Sequence, residues 1–259
     1  METKDKLANE VASQLPVKEI YNDLAHPILS TVGKTLQGAA RVALAPVTAL
    51  IWGYDKIAAY LDVALPEYFA KRKIKKESIV TPDESIAVPI IEALRYTSHK
   101  EELREMFTNL LGASMNSETY DEHPAFVEII KQLCVDECRM LKYLRLDDKM
   151  PMIKIRTKLG NNQGELDATP YFSDIVFKAQ CERPQKFPEY LDNLHRLGLV
   201  EIFYDRYLSN DIFYEELRSN PYFIKMKPQD EMNSQDFEKK SMYVLSELGK
   251  KFCTVCIDD

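Results

Sequence analysis

Residues 81–114 read TPDESIAVPIIEALRYTSHKEELREMFTNLLGAS, and punctuation and period alone place two helices in them. Thr81-Pro82-Asp83-Glu84 offers a hydroxyl at the N-cap, a proline at the first helical position and a carboxylate at the third. Side chains there satisfy orphan amides while the acids complement the helix dipole. Ile86, Ile90, Ala93, Leu94 and Thr97 then recur at helical spacing, so one face is apolar and has to meet another element. Ser98-His99-Lys100-Glu101 repeats the capping box, and Leu103, Met106, Phe107, Leu110, Leu111 and Ser114 continue the same period. A second helix therefore packs beside the first.

Downstream, Asp121-Glu122-His123-Pro124 opens a third helix with Phe126, Ile129, Ile130 and Leu133 inward, and Asp136-Glu137 opens a fourth with Cys138, Leu141 and Leu144. Four short helices joined by a few residues make a compact bundle over residues 77–148. The acids Asp83, Glu84, Glu101, Glu102, Asp136 and Glu137 all fall in first turns, where capping and the helix dipole account for them without catalysis. From residue 150 the grammar changes. Met152–Arg156 alternates like a strand, and a turn-rich stretch follows around Gly160–Gly164. Phe187, Tyr190, Leu191, Leu194 and Leu197 form a helical stripe stopped by Gly198, whose missing Cβ suits a left-handed C′ position. Leu199–Phe203, Tyr222–Ile224 and Met242–Leu245 read as strands, and Ser246 caps a last helix. This is the outline of a winged-helix-like α/β domain over residues 165–259. The predicted class is mainly α: an N-terminal helical region, a compact helical bundle, and this smaller α/β domain.

Upstream, residues 1–76 form an Ala- and Gly-punctuated helical region with a break expected at Pro46. The longest uncharged piece, residues 42–54, covers roughly 20 Å as helix where a hydrocarbon core needs about 30 Å, so it does not span a bilayer. Three uses remain open for it: a hairpin buried against the chain or a second protomer, an interfacial membrane segment, or a device that inserts on triggering. Val42, Leu44, Val47, Leu50, Ile51, Trp52 and Tyr54 are its candidate partner or membrane contacts.

The chain has 259 residues with a net charge of −7, 45% hydrophobic and 29% charged residues, which excludes disordered and fibrous classes. Its one basic run, Lys71, Arg72, Lys73, Lys75 and Lys76, reads as a solvated linker after a helix, and the acidic balance disfavours nucleic acid as a partner. The 187–197 helix offers a DNA base only Asn193, His195 and Arg196, beside Glu189 and Asp192. Five cysteines and a charged start without an apolar leader fit a reducing cytoplasm, with contact at the periphery of the inner membrane as a further location. The pairs Cys134/Cys138 and Cys253/Cys256 lack partners at finger-like spacing and read as buried thiols.

No catalytic signature emerges. Gly33-Lys34-Thr35 ends like a phosphate loop, but Ile28 stands where that loop needs glycine. The four histidines are scattered, and His99 with His123 is the one pair that could meet at a bundle end beside a first-turn carboxylate, although polar groups there normally serve as caps. No metal or cofactor is expected.

The stretches 82–97, 101–111 and 123–133 closely resemble the abortive-infection alpha (Abi-alpha) family of bacterial proteins. Gly33-Lys34, residues 46–54 and residues 194–200 are similar too, so the likeness covers most of the chain. One departure is Cys134-Val135 where a Ser-Pro-like capping pair is common. The resemblance implies defence against phage, with an infected cell stopping growth or dying before progeny emerge. It carries over no catalytic residue. The expected protein acts by association, with a protein partner or a second copy, a phage component or a host target. The alternatives are a winged-helix DNA-binding regulator, a membrane-associating effector using residues 38–54, and a hydrolase or nuclease using carboxylates at bundle ends.

Overall fold

A computed structural model describes residues 51–119, 122–147, 149–159, 164–227 and 236–257. It is mainly helical, with a small antiparallel sheet in the C-terminal part. The chain divides into two units, Met1–Leu133 with Val255–Asp259, and Cys134–Thr254. The helix expected as the fourth of the bundle is thus counted with the second unit.

In the first unit α1 (Tyr54–Lys71), α2 (Glu84–Thr97) and α4 (Ala125–Lys131) pack around α3 (Glu101–Ser114). Helix α1 buries Tyr54, Ile57, Leu61, Leu65 and Tyr68, a three-and-four spacing that makes one stripe. Helix α3 is buried almost all round along its second half, including Thr108 and Asn109, as a central helix must be. Asn109 donates its amide to the Cys256 carbonyl at 3.1 Å, so its buried polar group is satisfied. Gly112 makes room for the Tyr68 ring, whose carbons lie 2.4 and 2.5 Å from where a Cβ would stand.

Two helix starts differ from the reading of residues 81–101. Asp83, not Thr81, is the N-cap of α2, its carboxylate accepting from Ser85 N at 2.7 Å. A short carboxylate reaches the orphan amides as well as a hydroxyl does, and Pro82 then stays outside the helix. Ser98 caps nothing: it closes α2, is fully buried, and Lys100 precedes α3 without a side-chain cap.

The second unit holds α5 (Val135–Leu144), β1 (Lys149–Lys158), β2 (Glu165–Asp167), α6 (Ile175–Lys178), α7 (Phe187–Arg196), β3 (Val200–Phe203), α8 (Ile212–Ser219), α9 (Pro221–Met226), β4 (Asp236–Leu245) and α10 (Glu247–Cys256) up to Thr254, the last two residues of α10 being counted with the first unit. The sheet order is β2-β1-β4-β3, all antiparallel, with β1 and β4 paired from Lys149↔Val244 to Thr157↔Asp236. On one face Phe187 of α7 comes within 6.0 Å of the Tyr243 ring. On the other, Ile153 and Ile155 pack with Phe172, Tyr214, Leu217 and Phe223. The alternation of β1 decides both faces.

Residues 222–224 are helix, not strand. Asn220 accepts from Tyr222 N at 2.9 Å, Pro221 occupies the first turn, and this Asn-Pro entry outweighs three β-prone residues too few to make a ladder. The expected turn at Gly198 is present with φ of 74°, and Ser246 caps α10 by accepting from Gly249 N at 2.8 Å.

Asp136 does more than cap α5. It is 5% exposed and accepts from Glu182 N at 2.8 Å, Arg183 N at 3.0 Å and Tyr190 Oη at 2.8 Å. Burial works to raise its pKa, and these donors with Arg139 outweigh it, leaving the carboxyl below its ordinary range. Glu137 beside it accepts from Cys134 N at 2.7 Å and from Asn193 at 2.8 Å. Cys134 in place of a hydroxyl therefore leaves the returning half of the capping box intact.

Candidate functional site

The chain enters α1 through Ile51-Trp52-Gly53, and Trp52 N donates to the Arg95 carbonyl at 2.9 Å, tying this entry to the end of α2. Tyr54 Oη donates to Glu92 Oε1, and Arg95 Nη1 donates to Glu92 Oε2 at 3.2 Å. The Arg95 guanidinium lies 5.1 Å from the Tyr54 ring and 5.6 Å from that of Tyr96. Arg104 in the first turn of α3 donates from Nη1 to the Ser98 carbonyl at 2.9 Å, closing the α2–α3 turn. Its guanidinium sits 5.1 Å from the Tyr60 ring and 5.8 Å from Trp52, while Lys56 Nζ lies 4.4 Å from Trp52. Trp52 and Tyr60 meet edge to face at 5.8 Å. Interleaved arginines and aromatic rings thus run along one edge of the unit.

Electrostatics at this edge are those of a desolvated, hydrogen-bonded set. Burial first, then the Glu92 hydrogen bond, raises the Tyr54 pKa. Burial pulls the Arg95 pKa down, but Glu92, Tyr96 and Tyr54 outweigh it and hold the guanidinium charged. Arg95 Nε, Ser98 Oγ and Arg104 Nε are buried without hydrogen-bond partners. Stacking of both guanidiniums on rings is what offsets part of that desolvation.

Arg104 and Tyr60 also stand at the mouth of a groove of about 410 Å³ between α1 and α3, with Val63, Lys71, Glu105 and Asn109 among its walls. Val63 is 60% exposed on its rim and Tyr96 is 54% exposed at the far end of the edge. Trp, Tyr and Arg are the side chains that dominate protein contacts, because each offers a large rigid surface with a polar handle.

Of the expected contacts, Val42, Leu44, Val47 and Leu50 lie outside the described residues, as does the break expected at Pro46. Ile51 and Trp52 are half-buried at the edge and Tyr54 is buried beneath it. His99 is exposed at the α2–α3 turn. His123 is exposed before α4, its Nδ1 accepting from Ala125 N at 3.1 Å and its ring 6.1 Å from Phe126. Among the described residues no hydrogen bond or ion pair joins the two histidines, and no group of three or more His, Cys, Asp or Glu is placed to hold a metal ion. The residues that sequence reasoning passed over are Tyr60, Glu92, Arg95 and Arg104. Their signal was their place on the polar flank of each apolar stripe, Tyr60 on α1, Glu92 and Arg95 on α2 and Arg104 on α3.

A family model described as abortive infection alpha matches residues 61–256. The chain belongs to the abortive infection alpha family. Within the matched span lie Glu92, Arg95 and Arg104 of the edge and all of the second unit's described elements. A solved structure of an uncharacterized protein from the hydrocarbon-degrading marine bacterium Alcanivorax borkumensis SK2 is similar at 19% identity, covering 51% of this chain and 94% of that one, with a TM-score of 0.36. No curated protein matches the chain. No helix among the described residues is long and apolar enough to cross a membrane.

Proposed function

We propose that this member of the abortive infection alpha family is a bacterial anti-phage protein that acts inside the cell by protein association, with the Trp52–Arg95–Arg104 edge as its contact surface. The observation that carries the reading is the cation–aromatic ladder itself, Lys56–Trp52–Arg104–Tyr60 at 4.4 to 5.8 Å, set beside an open groove. Its side chains are already ordered by packing and internal hydrogen bonds, so a partner would pay little entropy to use them. The test is phage challenge of cells carrying or lacking the gene, scored for plaques and for host growth. Fewer plaques together with arrest of infected cells supports the reading; equal plaque counts across a panel of phages contradict it.

A second reading, a winged-helix DNA-binding regulator, has its own support. The order of helix α5, strand β1, helices α6 and α7, then β3 and β4 with β4 between β1 and β3, supports it, with β2 added after β1 and helices α8 and α9 between β3 and β4. Against it, the polar groups of α7 are engaged at home. Asn193 donates to Glu137 at 2.8 Å, Arg196 to Asn193 at 2.7 Å, and His195 Nδ1 shares a hydrogen bond with the Val200 carbonyl at 3.0 Å. Retardation of duplex DNA that weakens steeply with salt would favour it over the association reading.

A further inference from the structure

The outer half of the sheet carries a pattern that the first unit's edge and helix α7 do not explain. The β1–β4 register sets Lys154 directly opposite Lys239 and Arg156 opposite Phe237, so all four project from one face, with Lys158 a step further along it. Like charges placed directly opposite on a sheet repel and are disfavoured unless an anion sits among them. Asp167 and Glu165 on β2 supply part of that anion: Lys154 pairs with Asp167 at 2.6 Å and Arg156 with Asp167 at 2.9 Å and with Glu165. Two acids on one edge balance two of the four cations, Asp192 adds a negative charge near Tyr204, and among the described residues no ion pair joins Lys158 or Lys239. Lys158 Nζ lies 5.4 Å from the Phe237 ring.

Aromatic rings flank this charge. Tyr171 and Tyr204 meet at 5.5 Å over Ser241, which takes up Tyr171 Oη at 3.3 Å and donates to the Tyr204 carbonyl at 3.2 Å. Ser241 shares the face of Lys239 because the two are separated by two residues on β4. Lys154 Nζ rests 4.3 Å from the Tyr171 ring, and Tyr204 is 50% exposed. Between the tyrosine pair at Ser241 and the ring of Phe237 run four residues of strand, about 13 Å, which is the reach of roughly two to three stacked or splayed nucleotides.

We propose that this face of β1 and β4 binds single-stranded nucleic acid, with Tyr204 and Phe237 as stacking surfaces and Lys239 and Lys158 along the phosphate track. A single strand fits where a duplex does not: rings such as Phe237, near the start of β4, and Tyr204, just past β3, can stack only on bases that are free of a partner strand. An acidic chain overall still presents this local field, because charges beyond a Debye length of about 8 Å are screened at physiological salt. The inference stands apart from the association reading, since it uses other residues in the other unit.

The test uses the full chain and a labelled twelve-nucleotide dT oligomer, a ribo-U oligomer and a duplex of the same length, followed by fluorescence anisotropy over a salt series. Single strands should bind at low salt at least tenfold more tightly than duplex, with a log–log salt slope of about −1.4 to −2.1 for two to three phosphates contacted. Lys158→Glu with Lys239→Glu should weaken binding tenfold or more and flatten the slope. Tyr204→Ala should weaken it five- to fiftyfold at an unchanged slope, because it removes stacking and no charge. Thermal unfolding checks that each variant stays folded. No binding of single strands at 20 mM salt, a preference for duplex, equal competition by polyglutamate or by phosphatidylglycerol vesicles, or variants that bind like the parent would each overturn the proposal. Loss of plaque reduction in edge variants leaves this outcome untouched, so the two readings fail separately.

Discussion

Replacing Gly249 by alanine opposes two effects of known sign at one residue. Gly249 is in the first turn of α10, where helix propensity alone favours alanine by about 1 kcal/mol. The added Cβ would stand 2.0 Å from the Leu199 carbonyl oxygen and 2.9 Å from its carbon, against 3.4 Å for ordinary contact. The obstacle is backbone and cannot rotate away, so α10 must back off by roughly an ångström. Two hydrogen bonds tie its cap residue to the turn, Ser246 N to the Leu199 carbonyl at 3.0 Å and Ser246 Oγ to the Gly198 carbonyl at 2.5 Å, and a third, Gly249 N to Ser246 Oγ at 2.8 Å, joins the helix to that cap. Overpacking costs about 1–3 kcal/mol and a damaged cap about 1 kcal/mol more, so after the propensity gain the net loss is about 1–3 kcal/mol. For a unit of this size that corresponds to a fall of roughly 4–12 °C in the unfolding midpoint. Thermal unfolding followed by circular dichroism reads it, with Gly53→Ala as the comparison because nothing lies within 4 Å of a Cβ there. A Gly249→Ala midpoint equal to or above the parent's would refute the claim that α10 is seated on the Gly198–Leu199 turn.

Two further outcomes follow from the same geometry. Gly112→Ala pushes a Cβ into the Tyr68 ring, which is 6% exposed, and should cost about 1–3 kcal/mol in the first unit by urea unfolding. Asp136→Asn leaves donors from Glu182, Arg183 and Tyr190 facing an amide that cannot accept from all of them, and should cost about 2–4 kcal/mol at neutral pH. Because the native pKa of Asp136 is depressed, its contribution is complete above the unfolded value and is lost as pH falls below about 4 toward the native one. The parent should therefore lose stability over that acid range more steeply than the variant, as read from urea midpoints between pH 6 and 3.

Local grammar made most of the elements legible. Periodicity found α2, α3 and α7, and Gly198 and Ser246 were read as stop and cap because each has a local mechanism that tertiary contacts need not supply. The misplaced parts are those where a local signal competes with another. Asp83 took the cap from Thr81, and Asn220-Pro221 turned a short β-prone triplet into helix. The role of Asp136 was invisible, since a first-turn acid looks the same whether its carboxylate meets solvent or three donors more than forty residues away. The edge was half legible: Trp52 and Tyr54 stood out as apolar contacts, but Arg95 and Arg104 join them only through the α2–α3 turn, a convergence that spacing does not encode.

The association reading is tested most directly by efficiency of plating on cells carrying the parent gene or the Trp52→Ala/Arg104→Ala pair, matched for protein level and unfolding midpoint. A functioning contact edge predicts that the parent suppresses plaques and the variant restores them by tenfold or more. A stable variant that suppresses plaques as well as the parent would contradict it.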